Sequence, residues 1–416
     1  MSWLEDYLEY THAQQAPTIF HFWVGLSIMA GSLQRRVWCE MRKNGVTYFR
    51  IFPGTFMTLL VSPPGIGHKT TAIDLGQDIL EEIGVPIIEG KGSTEGILRE
   101  LSRQSSTVLK AGPNGTITNQ PSDTVATLIA SELSVLISKA QYADSIVDLL
   151  LRLFDGGKQF QNITTGNPYK LTNPTVTFIG GATPEAIGSS LPPKAHGSGF
   201  TSRILPIYWD HLVADEANPI KPSEPLLDPH DEHVDHATIL RMSTMRRHLI
   251  DTLRKMQDLS GKFSYSPEVR EWLGEWLKEW TRTAQGNAEG YSSRRYSQLM
   301  RISMLVRISR HTEGELILNL EDVLGADAAL REIEKKFHYA LAFIGQSESE
   351  RKRQKILDCI LSHGGRASAM KIIRSTLRYY NSIEELRFTM KNLEEIGKIR
   401  KWGIDSMTKE EFWSIL

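Results

Sequence analysis

Cysteine, net charge and long apolar runs are all scarce in this sequence, and each scarcity excludes a class of protein. The two cysteines, Cys39 and Cys359, form neither a disulfide framework nor a zinc motif, which fits a reducing compartment. The 48 basic and 49 acidic residues nearly cancel, so any nucleic-acid surface must be local. The most apolar N-terminal stretch, 19–30, is too short to span a bilayer. We therefore expect a soluble, cytoplasmic protein with no membrane partner.

The stretch Thr55–Asp74, TFMTLLVSPPGIGHKTTAID, joins an apolar strand to a helix through a loop rich in glycine and proline. This is the context of a phosphate-binding loop, because glycines let bare N–H groups approach an anion on the helix N-terminus. Lys69 would reach the β- and γ-phosphates of ATP, and Thr70 would hold Mg²⁺. The candidate nucleotide-binding residues are Gly65, Gly67, His68, Lys69, Thr70 and Thr71.

The spacing departs from the usual G-x-x-x-x-G-K-[ST] pattern. Counted back from Lys69, the two glycine positions hold Pro63 and His68. His68 restricts φ at a position where glycine would be free. The alternative interpretation is a glycine and proline turn that binds nothing.

A second apolar run, Val125–Glu132, ends in a carboxylate. In P-loop ATPases the strand beside the phosphate loop ends in an acidic pair, one residue positioning Mg²⁺ and the next orienting the attacking water. Ser131 holds the first position here, so we expect Glu132 to activate water while Thr70 and ATP oxygens hold the metal. The alternative is an ordinary carboxylate at a strand end.

Two later strands are flanked by polar groups. The strand in 173–183 ends at Thr183, whose hydroxyl would bond the γ-phosphate or the lytic water. Arg203 precedes the strand 204–209 and is a candidate arginine finger for a neighbouring subunit's ATP site, worth roughly 10³ to 10⁵ in rate in other systems. A salt bridge within its own subunit is the alternative.

Residues 155–170 contain short β-like runs broken by glycines. In ring-shaped nucleic-acid motors a hairpin at this point projects into the central channel. Lys158 and Lys170 could contact the phosphates of single-stranded DNA there, and Phe160 and Tyr169 could stack on its bases. A solvated surface hairpin is equally consistent with the pattern.

The motif series SPPGIGHKTTAI, LIASELSVLI, NPTVTFIGGATPE and GSGFTSRI resembles a family of P-loop ATPases encoded by phages and mobile elements and related to replicative helicases. The resemblance covers about residues 15–400. It implies an α/β fold with a RecA/AAA+-like core, ATP hydrolysis coupled to DNA, and a hexameric ring. Five residues match the family's functional positions: Lys69, Thr70, Glu132, Thr183 and Arg203.

Composition and periodicity predict five segments. The linker has four prolines and seven acidic residues, and its three histidines, 230, 233 and 236, read as solvated, so no metal ligand is assigned there. The segments are N-terminal helices with a hairpin (1–50), the P-loop ATPase core (51–210), the linker (211–236), a helical lid-like bundle (237–345) and a winged helix (350–416). The N-terminal helices are expected to form a packing cap on the ATPase core, and residues 102–123 an exposed loop.

In the bundle, Trp272, Trp276 and Trp280 lie at i, i+4 and i+8 and are expected to be core. Arg294 and Arg301 share a helix face that could lean over ATP, and a solvated basic face is the alternative for each.

The winged-helix prediction depends on two helices, a third helix from Ser382 to Ile396 with a capping box and Gly397 as its stop, and a following wing. Such domains often bind DNA. The third helix here carries four glutamates against Arg387 and Lys391, so a protein partner is at least as plausible.

Two hypotheses follow. The first is a ring-forming, ATP-dependent DNA motor, a replicative helicase of a phage or mobile element. The second is a nucleotide-gated scaffold that binds DNA or protein and hydrolyses little ATP, which the shifted glycines, His68 and Ser131 favour.

Overall fold

The computed structural model describes residues 2–43, 46–90, 93–104, 107–111, 117–137, 140–155, 159–163, 168–191, 199–210, 213–214, 236–283, 289–341, 348–404 and 411–415. The chain divides into two compact units, Met1–Ile344 and Gly345–Leu416. The predicted linker, 211–236, lies outside the described residues apart from 213, 214 and 236.

The first unit contains fourteen of the described strands and thirteen of the described helices. Its strands are β1 (Val37–Lys43), β2 (Val46–Ile51), β3 (Met57–Val61), β4 (Ile87–Glu89), β5 (Thr107–Ala111), β6 (Ile117–Pro121), β7 (Val125–Ala130), β8 (Gln159–Ile163), β9 (Pro168–Thr172), β10 (Thr175–Ala182), β11 (Leu205–Tyr208), β12 (Gly261–Lys262), β13 (Ser264–Tyr265) and β14 (Ile317–Leu318). Its helices are α1 (Trp3–Thr11), α2 (Thr18–Leu33), α3 (Lys69–Glu82), α4 (Thr94–Gln104), α5 (Leu133–Leu136), α6 (Ala140–Asp155), α7 (Pro184–Ser190), α8 (Phe200–Arg203), α9 (His236–Asp258), α10 (Pro267–Thr283), α11 (Glu289–Arg310), α12 (Leu320–Glu334) and α13 (Phe337–Leu341).

A five-stranded parallel sheet with the spatial order β11-β3-β10-β7-β4 forms the centre of this unit. Strands β3, β7, β10 and β11 are buried on both faces, as expected of parallel strands covered by helices, whereas the edge strand β4 is partly exposed. The α/β class is therefore confirmed, and the sheet is compatible with a Rossmann- or RecA-like core.

Alternate residues of the sheet pack into two separate cores. Leu60 and Ile179 face the core that contains α1, α2, α3 and the helices from α9 to α12. Leu59 and Phe178 face the core that contains α4, α5, α6, α7 and α13. The period of two along each strand thus assigns each helix to one face of the sheet.

Helix α2 is more deeply placed than the packing cap expected from the sequence. Fourteen of its sixteen residues are buried, and its apolar residues lie in the first core beside α3 and the sheet. A helix that is apolar on all sides is a core helix. The apolar stretch 19–30 is therefore explained by burial in protein, and no helix in the described part of the chain is long and apolar enough to cross a membrane.

The segment 102–123, expected to be an exposed loop, contains regular structure. Helix α4 continues to Gln104, and β5 pairs with β6 as an antiparallel hairpin. The pairing joins Thr107 to Pro121 and Ala111 to Ile117. The two strands, TVLKA and ITNQP, lack the apolar alternation on which the sequence prediction relied.

The helical bundle of this unit contains a buried arginine. Arg295 on α11 has a fully buried side chain and binds Asp327 at 2.8 Å and Glu334 at 2.5 Å. Its guanidinium lies 4.4 Å from the ring centroid of Trp280. The stripe of Trp272, Trp276 and Trp280, predicted to be core, packs ring on ring.

The second unit has three helices, α14 (Glu348–Ser362), α15 (Ala369–Thr376) and α16 (Ile383–Glu395), and three strands, β15 (Arg366–Ser368), β16 (Ile399–Ile404) and β17 (Glu411–Ile415). The strands form an antiparallel sheet in the order β15-β17-β16. Helices followed by an antiparallel hairpin agree with the order of elements expected for a winged helix.

The predicted start of α16 is half right. The Ser382 hydroxyl accepts a hydrogen bond from the Glu385 N–H at 3.2 Å, as a capping box requires. The Glu385 carboxylate, however, accepts from the Asn381 N–H and the Lys352 ammonium. The predicted stop is confirmed, since Gly397 has φ +71° directly after the helix.

We predict that Arg295→Ala destabilises the first unit by about 3–5 kcal/mol, because it leaves the buried Asp327 and the partly buried Glu334 without their shared cation. Arg331 supplies the control: it binds the same Asp327 at 2.6 Å from a side chain that is 61% exposed. Arg331→Ala should cost less than about 1 kcal/mol. Urea unfolding followed by tryptophan fluorescence measures both, and equal losses would contradict the role given to burial.

Candidate functional site

The carboxyl edge of the central sheet has a topological switch point between β3 and β10, here named the crevice. These strands are neighbours, but α3, which follows β3, packs on one face and α7, which follows β10, packs on the other. Ligands of open α/β sheets bind outside the carboxyl ends of strands where the chain diverges in this way. The loop predicted to bind phosphate, 62–68, lies at this point.

The loop reaches α3 through a left-handed residue. His68 has φ +43° and ψ +39° immediately before the helix, and Gly65 has φ +79°. Histidine is among the residues that tolerate this region, although β-branched residues do not. The sequence indicated that His68 would restrict φ at this position. In the structure His68 nevertheless adopts the left-handed conformation that glycine would supply.

Gly67 is required for a different reason. A Cβ built on it would lie 2.0 Å from Ser62 Oγ and 3.1 Å from Phe20 Cε2. The loop therefore packs down against the end of β3 at this position. A Cβ on Gly65 would meet no atom within 4 Å, so only the positive φ favours glycine there.

The N-terminus of α3 has no side-chain cap, and His68 makes none. The first N–H groups of any helix have no partner within the helix. At α3 these groups belong to Lys69, Thr70 and Thr71, and the Thr70 side chain is exposed. An uncapped helix start at a sheet crevice is suited to an anion.

Lys69 is the first residue of α3 and lies next to the end of β3. Its ammonium donates to the Ser62 carbonyl at 3.0 Å and to Ser62 Oγ at 3.1 Å. Burial lowers the pKa of the Lys69 ammonium, and the nearby carboxylates of Glu132 and Glu185 oppose that shift. A cation in this position, bonded only to neutral oxygens, gains from a phosphate group more than an exposed lysine would.

Glu132 lies at the same edge, although not on the neighbouring strand as expected. Strand β10 separates β7 from β3, so two strand spacings, about 10 Å, lie between the two chains. The register nevertheless places Glu132 level with Ala182 and Val61. Ser134 donates to its carboxylate at 3.4 Å. Lys69 and Glu132 therefore face the end of β10 from its two sides.

Thr183 and Glu185 complete this edge. The Thr183 hydroxyl accepts from the Ala186 N–H at 3.1 Å and so caps α7. The hydroxyl hydrogen remains able to donate to a phosphate or water. Glu185 was missed by the sequence reasoning; the signal for it was a carboxylate three residues after a buried strand, the pattern that singled out Glu132.

Arg203 lies at the amino ends of the parallel strands, opposite the carboxyl edge that holds Lys69. It precedes β11, whose Leu205 pairs with Thr58, so Arg203 is about 15–20 Å below the phosphate loop. Its guanidinium forms a bidentate pair with Asp155, at 3.1 and 2.6 Å, and donates to the Gly199 carbonyl at 3.0 Å. The alternative of a salt bridge within the subunit is what the structure contains.

Two arginines of the helical bundle join this pair. Arg294 binds Asp155 at 2.8 Å, and the buried Arg301 lies 4.3 Å from the ring centroid of Phe154. Burial lowers the pKa of the Arg301 guanidinium. Neither side chain leans over the phosphate loop of its own chain, and Arg301 is not part of a solvated face.

The hairpin expected to contact DNA is present as β8 paired with β9. Lys170 is exposed on β9, whereas Tyr169 is 9% exposed and packs in the second core, so Tyr169 cannot stack on a base. Lys158 lies outside the described residues. In the part of the chain that the structure describes, no group of three histidine, cysteine or acidic residues could hold a metal ion.

We predict that His68→Gly keeps the loop and changes stability by no more than about 1 kcal/mol. Relief of the left-handed strain, about 1–2 kcal/mol, is partly offset by the glycine's chain entropy, about 0.5–1 kcal/mol. His68→Val should instead destabilise the unit, since a β-branched residue is strained there. Denaturant unfolding of the two variants decides; a stable valine variant would show that His68 is not left-handed in solution.

Two comparisons with known proteins identify no relative of this chain. No protein-family model matches the chain, and no curated protein matches it significantly. The function is therefore inferred from the residues at the crevice.

Proposed function

We propose that this chain is an ATP-dependent nucleic-acid motor, a ring-forming P-loop ATPase that acts as a replicative DNA helicase of a phage or mobile element. The observation that supports it best is the environment of Lys69. Its partly buried ammonium lies at an uncapped helix N-terminus, in a sheet crevice, with two carboxylates nearby.

Each residue of the crevice has a role in phosphoryl transfer. Lys69 and the first N–H groups of α3, including those of Thr70 and Thr71, bind phosphate oxygens. The Thr70 hydroxyl would supply one ligand to Mg²⁺, and the metal would neutralise phosphate charge. Gly65, Gly67 and His68 set the path of the loop into the helix.

Glu132 acts on the water. Its carboxylate accepts a proton as the water oxygen bonds to the γ-phosphorus and the bond to the bridging oxygen of ADP breaks. Thr183 orients the water or the γ-phosphate through its hydroxyl hydrogen. Glu185, beside Lys69, helps to keep the lysine charged in a buried position.

Arg203 serves another subunit. It is too far from Lys69 to reach its own site, about 15–20 Å by strand register. A neighbouring copy can offer its crevice to this edge, provided that the Arg203 pair with Asp155 opens. Because each site then needs a residue from a neighbouring subunit, a closed ring is favoured. The family resemblance implies that this ring is a hexamer.

The exposed Lys170 on the β8–β9 hairpin is the proposed contact with single-stranded DNA in this unit. Its role is charge attraction to phosphates. Base stacking must come from residues other than Tyr169, which is buried.

A nucleotide-gated scaffold with little hydrolysis is the second candidate. Ser131 in place of the first acid and the Arg203–Asp155 pair both favour it. ATP turnover separates the two candidates, whereas assembly does not, because both can form rings.

We predict DNA-stimulated ATP turnover by the native chain. Lys69→Ala should abolish it, and Glu132→Gln should lower kcat by about 10² to 10⁴ while leaving nucleotide binding intact. A coupled phosphate-release assay, with and without single-stranded DNA, gives turnover, and fluorescent-nucleotide titration gives binding. Binding without turnover in the native chain would exclude the motor and leave the scaffold.

A second prediction separates the two roles of Arg203. Arg203→Ala should lower kcat by about 10³-fold or more, whereas Asp155→Ala, which breaks the same ion pair but keeps the arginine, should not. If the ion pair alone matters, both variants lose activity alike. Mixing Lys69→Ala with Arg203→Ala subunits should restore part of the turnover, because some interfaces then contain both intact residues.

A further inference from the structure

The second unit differs in charge from the rest of the chain. Residues 345–416 contain 14 lysine and arginine residues against 10 aspartate and glutamate residues, while residues 1–344 contain 34 against 39. The near-neutral total therefore hides a basic unit. A polyanion partner must be sought here, on the surface where the excess lies.

Three of these basic residues lie on one face of α15 and the turn that follows it. Ile372 and Thr376 of this helix are buried in the core of the unit. Lys371 and Arg374 are exposed, as is Arg378 in the 3₁₀ turn Leu377–Tyr379 that continues the helix. Residues at i, i+3 and i+7 lie on one side of a helix, so these three side chains form a single row, here named the α15 cationic row.

These cations are not neutralised within the unit. Among the described residues no carboxylate lies within ion-pair distance of Lys371, Arg374 or Arg378. By contrast, Lys352 is bound to Glu385 at 2.6 Å and Lys401 to Glu411. The carboxylates of Glu385 and Glu411 thus pair with other lysines, and the α15 cationic row keeps its full charge.

An aromatic ring orders the end of the row. The Arg378 guanidinium lies 4.9 Å from the ring centroid of Tyr379, and the Lys355 ammonium of α14 lies 5.2 Å from the same ring. Such cation–π contacts restrict the long side chains without removing their charge. Less side-chain entropy is then lost when an anion binds.

The third helix is a poorer candidate. Its exposed surface carries Glu384, Glu394 and Glu395 beside Arg387 and Lys391. A groove of about 750 Å³ between α15 and α16 is lined by apolar residues, among them Met370, Ile373 and Met390, with charges of both signs around it. Phosphates would meet the carboxylates of Glu394 and Glu411 there, whereas no carboxylate lies within ion-pair distance of the α15 cationic row among the described residues.

We propose that the α15 cationic row binds the phosphate backbone of a nucleic acid, without reading its sequence. Seven residues of helix span about 10 Å, and about 10 Å of duplex axis carries about three phosphates on each strand. Three like charges in a row fit a regular polyanion better than a protein surface of mixed charge. This inference concerns the second unit and does not require ATP hydrolysis.

The test uses the full chain without nucleotide and fluorescein-labelled oligonucleotides, single-stranded and duplex, of DNA and of RNA. The triple variant Lys371→Gln/Arg374→Gln/Arg378→Gln should bind at least about tenfold more weakly at low salt. The slope of log affinity against log salt should fall by about 2 for single strands and about 3 for duplex. Fluorescence anisotropy measures both.

The matched control removes the same charge from the α16 side: Arg387→Gln/Lys391→Gln/Lys398→Gln, all exposed residues. It should keep the native salt slope. Lys371→Arg should also keep it, and circular dichroism checks that each variant is folded. Equal losses in the two triple variants, or no loss in the α15 variant, would overturn the proposal. It would also be overturned if the α15 variant lost binding to anionic lipid vesicles while its binding to oligonucleotides stayed unchanged.

Lys69→Ala separates this proposal from the proposed motor. That variant should bind oligonucleotide as tightly as the native chain although it turns over no ATP. If it loses oligonucleotide binding together with turnover, the row is not the binding surface.

Discussion

The position of β3 between β11 and β10 in the parallel sheet is the constraint on which the rest of the first unit depends. Because β11 lies on one side of β3 and β10 on the other, the chain must cross the sheet and send α3 and α7 to opposite faces. That divergence opens the crevice, and the crevice is where Lys69, Glu132, Thr183 and Glu185 meet. The same topology puts Arg203 at the far edge.

Several basic side chains of the first unit are buried or partly buried, and their charges are compensated by different partners. Arg295 is matched by two carboxylates and two indole rings and serves stability. Arg203 and Arg294 share one exposed carboxylate, an arrangement that can open. Lys69 has only neutral oxygens as hydrogen-bond partners, and this is why it suits a phosphate. The degree of compensation thus separates Arg295 from Lys69 and Arg203, the two cations that we propose act on the nucleotide.

Much of the sheet could be predicted from the sequence, because its strands are continuous apolar runs that end in polar residues. The runs before Ser62, Glu132 and Thr183 all became strands of one sheet. The hairpin of β5 and β6 was not predicted, since the order of apolar and polar residues along its strands does not mark a buried face. The depth of α2 was underestimated for a related reason: an apolar helix does not reveal which elements will cover it.

The residues of the candidate site divide in the same way. Local sequence determined the strand–loop–helix at Lys69, the helix stop at Gly397 and the carboxylate at Glu132, because each depends on neighbours within a few positions. Only the tertiary structure decided that β10 separates Glu132 from the phosphate loop, that Glu185 joins Lys69, and that Asp155 holds Arg203. Those relations depend on strand order and on contacts between residues 48 to 116 positions apart, which no local pattern encodes.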